Sequence, residues 1–447
     1  MPAYERMNHL RLSMNPPKLF GTIAALAILA NSAAAKTEPG FTSLFDGKSL
    51  NGWTHAGDGA YLVKDGVLIC PEGTGGKLFT EKEFSDFVLR LDYKLQPGGN
   101  NGVGIRCPLG AAGEQMAYTG MEIQILDDKA PKHAKIKPWQ FNGSIYNIVP
   151  AKDGTPKIGE WNSYEITARG RHIQVVLNGK SIVDADLNDV RDPETIMKHP
   201  GMLRDRGRIA FLGHHDHVEF RNIRIKELPP EEKENSPPAG FTALFNGKDL
   251  SGWKGLPASP NDNPSKRAKL SPEQLAETQA KADQRMNEHW KAEKGEIVFD
   301  GKGDSLCTKK DYSDFEMLVD WKIPPRGDSG IYIRGSPQVQ IWEPASPGQF
   351  KPPDGSGGLY NNQKNPRHPL KNVDHPVGEW NRFRIIMVGE KVHVFLNGEL
   401  VVNDTTLENY WERDKPIYAS GQIELQNHGG PLWFKNIYIR ELPCEKK

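Results

Sequence analysis

The sequence predicts an all-β protein made of two tandem copies of one domain, each a two-sheet sandwich or jelly roll, with a helical insertion in the second copy. Three observations predict this fold: a motif that occurs twice, apolar residues that alternate with polar ones, and Asn-Gly pairs between alternating segments. Alternation with a period of two is typical of strands with one buried face, and Asn-Gly indicates a tight hairpin. A chain of 447 residues is long enough for two such domains with full-sized cores.

Residues 1–35 are interpreted as a signal peptide. The apolar run from Leu19 to Ala30 is too short to span a bilayer comfortably. Ala33 and Ala35 then give an A-x-A cleavage pattern just before residue 36. The mature chain is therefore expected to be exported to the periplasm or the extracellular space, with no membrane anchor after cleavage.

Composition excludes several kinds of partner. Lysine plus arginine equals aspartate plus glutamate, 57 each, so the chain has no net field to attract nucleic acid or an anionic membrane.

The four cysteines are too few and too scattered for a disulfide framework or a CxxC metal site. They are Cys70, Cys107, Cys307 and Cys444. Within the first copy, a Cys70–Cys107 bridge and a pair of free thiols are alternatives.

The two copies are predicted to span residues 36–228 and 240–447, joined by a charged, proline-rich and solvated linker at 229–239. The sequence GFTSLFDGKSLNGW at 40–53 is matched by GFTALFNGKDLSGW at 240–253. Further motifs recur in the same order: Ser-Asp-Phe at 85–87 and 313–315, Gly-Glu-Trp-Asn at 159–162 and 378–381, Leu-Asn-Gly at 177–179 and 396–398, and Asn-Ile at 222–223 and 436–437. Chance does not produce such an ordered set, so the chain contains an internal duplication.

Alternation predicts the strands within each copy. Apolar residues occupy every second position from Phe87 to Leu95, and the stretch from Phe315 to Ile323 repeats the pattern. Each of these strands is expected to have one buried face and one mostly wet face. Asn178-Gly179 predicts a type I′ hairpin, and a change of phase at Arg221-Asn222 in the closing strand predicts a β-bulge.

One segment of the second copy departs from the strand pattern. Ser271 is predicted to cap a helix, with Pro272 in the first turn and Gln274 completing a capping box. The helix is expected to run to about Lys294 and to end at Gly295. We interpret it as an insertion against the rim of the sandwich, a packing element or lid rather than a catalytic part.

Both copies resemble the 3-keto-disaccharide hydrolase domain family, long known only as a domain of unknown function. The resemblance rests on Leu-Phe-(Asp/Asn)-Gly-Lys, Gly-Glu-Trp-Asn, Leu-Asn-Gly and the closing Asn-Ile strand, and it covers nearly the whole mature chain. It implies a concanavalin-like jelly roll in each copy. It also implies activity on glycosides whose sugar is oxidised at C3, with release of a 3-keto sugar, so an oxidised carbohydrate is the implied partner.

The implied chemistry makes the search for site residues specific. A ketone at C3 acidifies the proton at C2, so the glycosidic bond can leave by elimination across C1 and C2, followed by addition of water. This route needs a general base near C2 and an electrophile near the C3 oxygen that holds the enolate. Conventional hydrolysis would instead need two carboxyl groups flanking C1.

One predicted strand in each copy carries polar residues at alternating positions, as the sugar-lining face of a sheet would. In the first copy Glu122 and Gln124 share a face, and Asp127 follows them. The matching strand of the second copy carries Gln338, Gln340, Trp342 and Glu343. The carboxylates are candidate catalytic groups, and the amides and Trp342 are candidate sugar contacts. A merely solvent-facing strand is the alternative interpretation.

Loops and strand ends supply the remaining candidates. Arg106 and Arg334 follow glycine-containing segments at matching places and are candidates to stabilise an enolate. His214 and His428 precede the two closing strands and are candidate bases or sugar contacts. The other residues expected to contact the sugar are Tyr146, Tyr360 and Gln426.

The sequence implies no definite cofactor, although one spacing leaves a divalent metal ion open. His215 and His217 would share a strand face with Glu219 if the closing strand begins early. A structural or hydrogen-bonding role for these histidines is the alternative interpretation.

Two classes of function follow from these residues. The first is an exported carbohydrate-active enzyme that cleaves 3-keto-glycosides, by hydrolysis or by elimination and hydration. The second is a carbohydrate-binding module without catalysis, because jelly-roll sandwiches often bind sugars without cleaving them. Replacement of Glu122 by Gln338 also permits one catalytic and one binding copy.

Overall fold

In the computed structural model, which describes residues 38–57, 61–110, 115–229, 234–343 and 355–443, each copy folds into two antiparallel sheets. The predicted signal peptide and Cys444 lie outside the described residues. Among the described helices, none is both long enough and apolar enough to cross a membrane.

The first copy contains thirteen described strands and two short α-helices. The strands are β1 (Thr42–Ser43), β2 (Trp53–Ala56), β3 (Leu62–Lys64), β4 (Val67–Cys70), β5 (Lys77–Phe84), β6 (Phe87–Leu95), β7 (Asn100–Cys107), β8 (Met121–Leu126), β9 (Trp161–Arg169), β10 (His172–Leu177), β11 (Lys180–Asp186), β12 (Gly207–Leu212) and β13 (Val218–Glu227). The helices are α1 (Met116–Thr119) and α2 (Pro193–Lys198). An eight-stranded sheet has the order β11-β10-β9-β6-β13-β4-β3 with β1 paired to β13, and a five-stranded sheet has the order β2-β5-β12-β7-β8.

The second copy repeats this topology with thirteen further strands. They are β14 (Thr242–Ala243), β15 (Trp253–Gly255), β16 (Trp290–Glu293), β17 (Glu296–Phe299), β18 (Leu306–Thr308), β19 (Phe315–Lys322), β20 (Asp328–Tyr332), β21 (Gln338–Trp342), β22 (Asn381–Val388), β23 (Lys391–Leu396), β24 (Glu399–Thr406), β25 (Glu424–Leu425) and β26 (Leu432–Glu441). The helices are α3 (Pro264–Arg267) and α4 (Pro272–His289). The sheets have the orders β16-β17-β26-β19-β22-β23-β24, with β14 paired to β26, and β15-β18-β25-β20-β21. The prediction of two tandem jelly-roll sandwiches is therefore confirmed.

The motifs shared by the copies hold the fold together. The indole of Trp53 donates to the carbonyl of Leu44 at 2.7 Å, and Trp253 donates to Leu244 at 2.8 Å. The Asn of Gly-Glu-Trp-Asn accepts a hydrogen bond from the turn Asn of Leu-Asn-Gly in both copies, at 2.9 and 2.8 Å. These contacts fix the strand ends, which explains why the motifs recur.

The predicted hairpin and bulge are both present. Asn178 and Gly179 have φ of 49° and 82°, the left-handed values that a type I′ turn requires, and they join β10 to β11. In β13 the pairing register with β6 shifts between Arg221 and Arg224, and Asn222 has φ of 53°.

The alternation of buried and wet faces is confirmed in β6 but is wrong in β19. Every second residue of β6 is half-exposed, whereas β19 is buried from Phe315 to Trp321. The face expected to be wet is covered by the first copy: Ile386 and Phe395 of the neighbouring strands belong to the first copy's apolar core. Glu316 meets Arg171 of the first copy at 3.8 Å on the same face. The two sandwiches therefore share a buried interface.

The helical insertion is confirmed, but its predicted end is wrong. Ser271 caps α4 with the expected capping box, yet the helix ends at His289. Gly295 instead lies in the turn between β16 and β17, with φ of 81°. The side chain of Gln279 donates to the carbonyl of Gly255 at 2.9 Å. Helix α4 thus packs on the rim of the sandwich and covers the edge strand β15, whose exposed backbone would otherwise be open to pairing.

The structure corrects the expectation for the linker and decides between the two alternatives for the cysteines. The described part of the linker is not fully solvated, because Asn235 donates to the Asn436 side chain at 2.7 Å and to the Gly295 carbonyl at 2.8 Å. Cys70 and Cys107 are buried free thiols, so the alternative of a bridge between them is not realised.

Candidate active site

A cleft of about 620 Å³ lies over the five-stranded sheet of the first copy. Strands β7 and β8 form its floor, helix α1 and the segment around residues 133–146 form its walls, and the loop before β13 closes one end. Four predicted site residues come together there: Glu122, Gln124, Tyr146 and His214. The alternation along β8 is therefore the lining of a cleft, and the solvent-facing interpretation does not hold for this strand.

Glu122 is the buried acid of this cleft. Its side chain is only 4% exposed, and its Oε1 has no hydrogen-bond partner among the described residues. Space for the carboxylate is provided by Gly102 on β7, where a Cβ atom would come within 1.9 Å of Oε1. A buried carboxylate oxygen without a donor is costly, at roughly 1–3 kcal/mol or more, which is typical of a group that meets a ligand.

His214 pairs with this carboxylate across the cleft. Its Nε2 lies 3.5 Å from Glu122 Oε1, close enough for an ion pair but long for a hydrogen bond. Burial of the ring lowers the pKa of His214, but the contact with Glu122 and the charges of Glu122 and Asp216 outweigh it, so this pKa lies above its ordinary value. The His214 imidazole can therefore hold a proton beside the Glu122 carboxylate.

Glu122→Gln is expected to lower the pKa of His214. Burial of the ring lowers the pKa of His214, and without the Glu122 carboxylate this lowering is no longer offset, so protonation becomes less favourable. The change is measured by following the His214 ring carbon and proton signals by NMR against pH, with His214→Gln assigning the resonance. The signals of His172, which pairs with Asp184 on the eight-stranded sheet, should not move. An unchanged His214 titration would contradict the pairing.

Amide and hydroxyl groups complete the lining. Gln124 donates to Asn100 Oδ1 at 3.4 Å, and its own Oε1 is buried without a hydrogen-bond partner among the described residues. Gln140 donates to the Tyr146 hydroxyl at 3.1 Å. Such fixed donors and acceptors suit the hydroxyl groups of a sugar.

Several lining residues were not predicted from the sequence. They are Lys77, Asn100, Gln115, Tyr118 and Gln140. They come from separate strands and loops, so no local spacing marks them as one set. Only Asn100 had a usable signal, because the second copy has an acidic residue, Asp328, at the corresponding position.

The prediction that Arg106 and Arg334 stabilise an enolate is corrected by the structure. Both side chains are buried, and both residues are in left-handed backbone, with φ of 50° and 55°. All five N–H groups of Arg106 are directed to the carbonyls of Ser85, Gly170 and Arg204 and to the Asp86 carboxylate. Arg334 makes the equivalent bonds to the Ser313, Gly389 and Tyr418 carbonyls and to the Asp314 carboxylate. These arginines hold loops together.

Asp127 and Glu343 also have a different role from the one predicted. Asp127 Oδ2 accepts from the backbone N–H of Gly98 at 2.8 Å, and its Oδ1 accepts from Lys129 at 3.2 Å. Glu343 accepts from the backbone N–H of Arg326 at the matching turn. Asp127 is absent from the residues that line the cleft. Both carboxylates cap turns, so their predicted catalytic role is corrected.

The possible metal site at His215 and His217 does not form. His217 contacts Glu219 at 3.1 Å, but Glu219 is also paired with Lys94 at 2.6 Å. In the part of the chain that the structure describes, no cluster of His, Cys, Asp and Glu has the arrangement needed to hold a metal ion. His217 and Glu219 form an ordinary ion-pair network.

Predicted residues of the second copy also meet on its five-stranded sheet. Gln338 donates to the side chain of Gln340, which in turn donates to Asp328 Oδ1 at 2.8 Å. His428 Nδ1 lies 3.2 Å from Asp328 Oδ2. The carboxylate partner of this histidine, Asp328, was not predicted, because it is distant in sequence from the candidates on β21.

The aromatic candidates of the second copy form a pair beside these polar groups. The rings of Trp342 and Tyr360 are 5.2 Å apart in an edge-to-face arrangement. Trp342 is buried, Tyr360 is 37% exposed, and the Arg367 guanidinium lies over the Tyr360 ring at 4.5 Å. The amide oxygen of Gln426, just after β25, is buried without a hydrogen-bond partner among the described residues.

A jelly-roll sandwich whose cleft is lined by amides, an acid and a histidine offers the fixed polar groups that suit a carbohydrate ligand. The particular family follows from comparison with known proteins: the chain belongs to the family of 3-keto-alpha-glucoside-1,2-lyase-like domains, whose sequence profile matches residues 40–226 and 240–440. The resemblance predicted from the repeated motifs, in two tandem copies, is thereby confirmed.

Individual relatives match about one copy of the domain. The chain is 25% identical over 228 residues to a 3-keto-disaccharide hydrolase of Bacteroides thetaiotaomicron, covering 42% of this chain and 79% of that protein. A solved protein of Parabacteroides distasonis, provisionally named a glycosyl hydrolase, is 30% identical, with 42% of this chain and 99% of that chain covered and a TM-score of 0.36. The carbohydrate-binding module CBM66 of Bacillus subtilis is 14% identical over 39% of this chain and 96% of that chain, with a TM-score of 0.29.

Proposed function

We propose that the protein is an exported enzyme that cleaves the glycosidic bond of 3-keto-glycosides in the cleft of its first copy. The observation that carries the proposal is the buried carboxylate of Glu122, whose Oε1 has no hydrogen-bond donor among the described residues and lies 3.5 Å from His214 Nε2. Membership of a family of 3-keto-glucoside lyase-like domains supports the substrate class.

Elimination fits the lining of the cleft better than conventional hydrolysis. Conventional glycosidases use two carboxyl groups on either side of C1. Glu122 is the single carboxylate among the described residues that line the cleft. A ketone at C3 makes one base sufficient, because the C2 proton becomes acidic.

The residues can be assigned to the steps of this route. Glu122 removes the proton from C2, and the electrons of the C–H bond form the enolate at C2, C3 and the C3 oxygen. Collapse of the enolate restores the ketone, forms the C1–C2 double bond and breaks the bond to the leaving oxygen, which takes a proton from His214. Water then adds its hydroxyl to C1 and its proton to C2, so the net reaction is hydrolysis. The raised pKa of His214 favours the protonated imidazole that the leaving step needs.

Lys77 and the amides supply positioning rather than proton transfer. The Lys77 side chain lines the cleft and adds a second positive charge near the C3 oxygen, in the role first predicted for arginine. Gln124, Asn100 and Gln140 offer hydrogen bonds to the remaining hydroxyl groups.

Methyl 3-keto-α-glucoside carrying deuterium at C2 tests the route. If elimination operates, the released 3-keto glucose contains hydrogen from water at C2, and deuterium slows turnover. Direct hydrolysis would leave the deuterium in place. A sample without enzyme measures spontaneous exchange. Binding of the glycoside without release of any product would overturn the enzyme proposal and leave a carbohydrate-binding module.

A further inference from the structure

The two copies place an acid and an amide on the same pair of neighbouring strands but in opposite order. In the first copy Asn100 stands opposite Leu126, and Gly104 stands opposite Glu122. In the second copy Asp328 stands opposite Trp342, and Tyr332 stands opposite Gln338. Asp328 therefore takes the place of Asn100, and Gln338 takes the place of Glu122. Each copy has one acid and one amide at these two positions, in opposite order.

The histidine partner is retained despite the exchange. His214 and His428 occupy corresponding places, since each follows the strand that pairs with β7 or β20 and precedes the closing strand. His214 faces Glu122 on β8, whereas His428 faces Asp328 on β20 at 3.2 Å. The ring nitrogen in contact with the acid is Nε2 in the first copy and Nδ1 in the second. A histidine–carboxylate pair is thus present on both sheets with a different geometry.

Buried oxygens without donors point to a ligand at this place in the second copy. Gln338 Oε1 has no hydrogen-bond partner in the described residues, and Gln338 is only 5% exposed. The Gln426 amide oxygen is in the same condition. Sugar hydroxyl groups are the donors that such acceptors lack, and the nearby Trp342 and Tyr360 rings offer the apolar surface that sugars pack on.

One row of residues across the five-stranded sheet has larger side chains in the second copy than in the first. Ala210, Gly104 and Glu122 are neighbours across the first sheet, and their places are taken by Glu424, Tyr332 and Gln338. Directly opposed residues on a sheet point to the same face, so these larger side chains occupy space that the first cleft leaves free. Burial raises the pKa of Glu424 to about 8, so at neutral pH this carboxyl is mostly protonated.

We propose that the second copy carries a second saccharide site, formed by Asp328, Gln338, Gln340, Gln426 and His428 with the Trp342–Tyr360 ring pair. It takes the same class of ligand as the first copy, a glucoside oxidised at C3. It differs from the first cleft in the position of the acid, which is Asp328 on β20. The ligand class rests on the function proposed for the first copy.

A stoichiometry measurement on the full chain tests this inference. The probe is a 3-keto C-glucoside, whose carbon leaving group cannot be expelled, titrated by calorimetry. Wild-type protein is expected to bind two equivalents per chain. Asp328→Leu is expected to bind one equivalent, with at least tenfold weaker binding at the second site, and the retained equivalent in the first cleft reports that the chain is folded.

A double variant distinguishes loss of the second site from loss of folding. Asp328→Asn with Gln338→Glu keeps side-chain size and restores the first copy's order of acid and amide, so two equivalents are expected again. A single equivalent in the wild type, unchanged by Asp328→Leu, would overturn the second site. No binding of the probe at all would overturn it as well. Turnover of the corresponding O-glucoside is measured separately: two bound equivalents without product would refute catalysis but uphold the second site.

Discussion

Glu122→Gln is expected to abolish cleavage of 3-keto-glycosides in the first copy while leaving the fold intact. Glutamine keeps the size and one acceptor oxygen of the side chain but cannot take the proton from C2. General acid–base catalysis by one positioned group contributes about 10²–10⁴-fold, so kcat should fall by about that factor. His214→Gln should cause a loss of the same kind, and the two losses should not add, because the residues act as one pair.

The rate is measured as release of 3-keto sugar under single-turnover conditions, which separates chemistry from binding. Glu160→Gln is the matched control, because Glu160 is an exposed carboxylate in the turn before β9 and lies outside the cleft. Its kcat should equal that of the wild type. Wild-type turnover in Glu122→Gln would eliminate Glu122 as the base. A second active copy would appear as residual turnover that Glu122→Gln does not remove.

Glu316→Gln is expected to cause the largest loss of stability. Glu316 is fully buried, and Arg440 donates to it from Nε at 2.8 Å, while Arg384 Nη1 lies 3.2 Å and Arg171 Nη1 3.8 Å away. Removing the charge leaves the buried guanidinium groups of Arg440 and Arg171 without the carboxylate they share, while Arg384 keeps Asp205, whose Oδ1 lies 2.7 Å from Arg384 Nη2. Loss of one partner from a buried ion pair typically costs about 3–5 kcal/mol in the free energy of unfolding.

The loss should depend on pH. Burial raises the pKa of the Glu316 carboxyl, but the charges of Arg171, Arg440 and Arg384 outweigh it and hold this pKa below its ordinary value of 4.5. A lowered carboxyl pKa gives stabilisation that is present above the ordinary value and is lost as the pH falls through the folded value. The difference between wild type and variant, measured by urea unfolding, should therefore shrink in acid.

Glu165→Gln provides the comparison on the first copy. Glu165 pairs with Arg90 at 2.6 Å, but both side chains are 31% exposed, so the pair should contribute less than about 1 kcal/mol. Equal losses in the free energy of unfolding for the two variants would show that Glu316 and its arginine partners stabilise the protein no more than an exposed ion pair does. Because β19 and its neighbours are covered by the first copy, the two copies are best compared within the full chain.

Part of the candidate site could be predicted because it depends on spacing along one strand. Glu122 and Gln124 are two residues apart, and a strand places such residues on one face whatever surrounds it. His214 was found because it precedes a recognisable closing strand. Arg106 was misread for the opposite reason: the sequence shows its charge but not the carbonyls of Ser85, Gly170 and Arg204 that bind it. Asp328 was missed because its partner His428 is brought to it by sheet pairing.

The sequence by itself determined the duplication, the strand alternation, the Asn-Gly hairpin, the bulge and the start of helix α4. Each of these depends on residues within one turn or one strand, where backbone geometry dictates the pattern. Only the tertiary structure decided that β19 is buried on both faces, since Glu316 and Arg440 correspond to Val88 and Lys226 on the half-exposed strands of the first copy. A charged residue on an alternating strand predicts a wet face, and only contact with residues far along the chain, such as Arg440 with the Asn188 carbonyl at 2.6 Å, turns it into an interface.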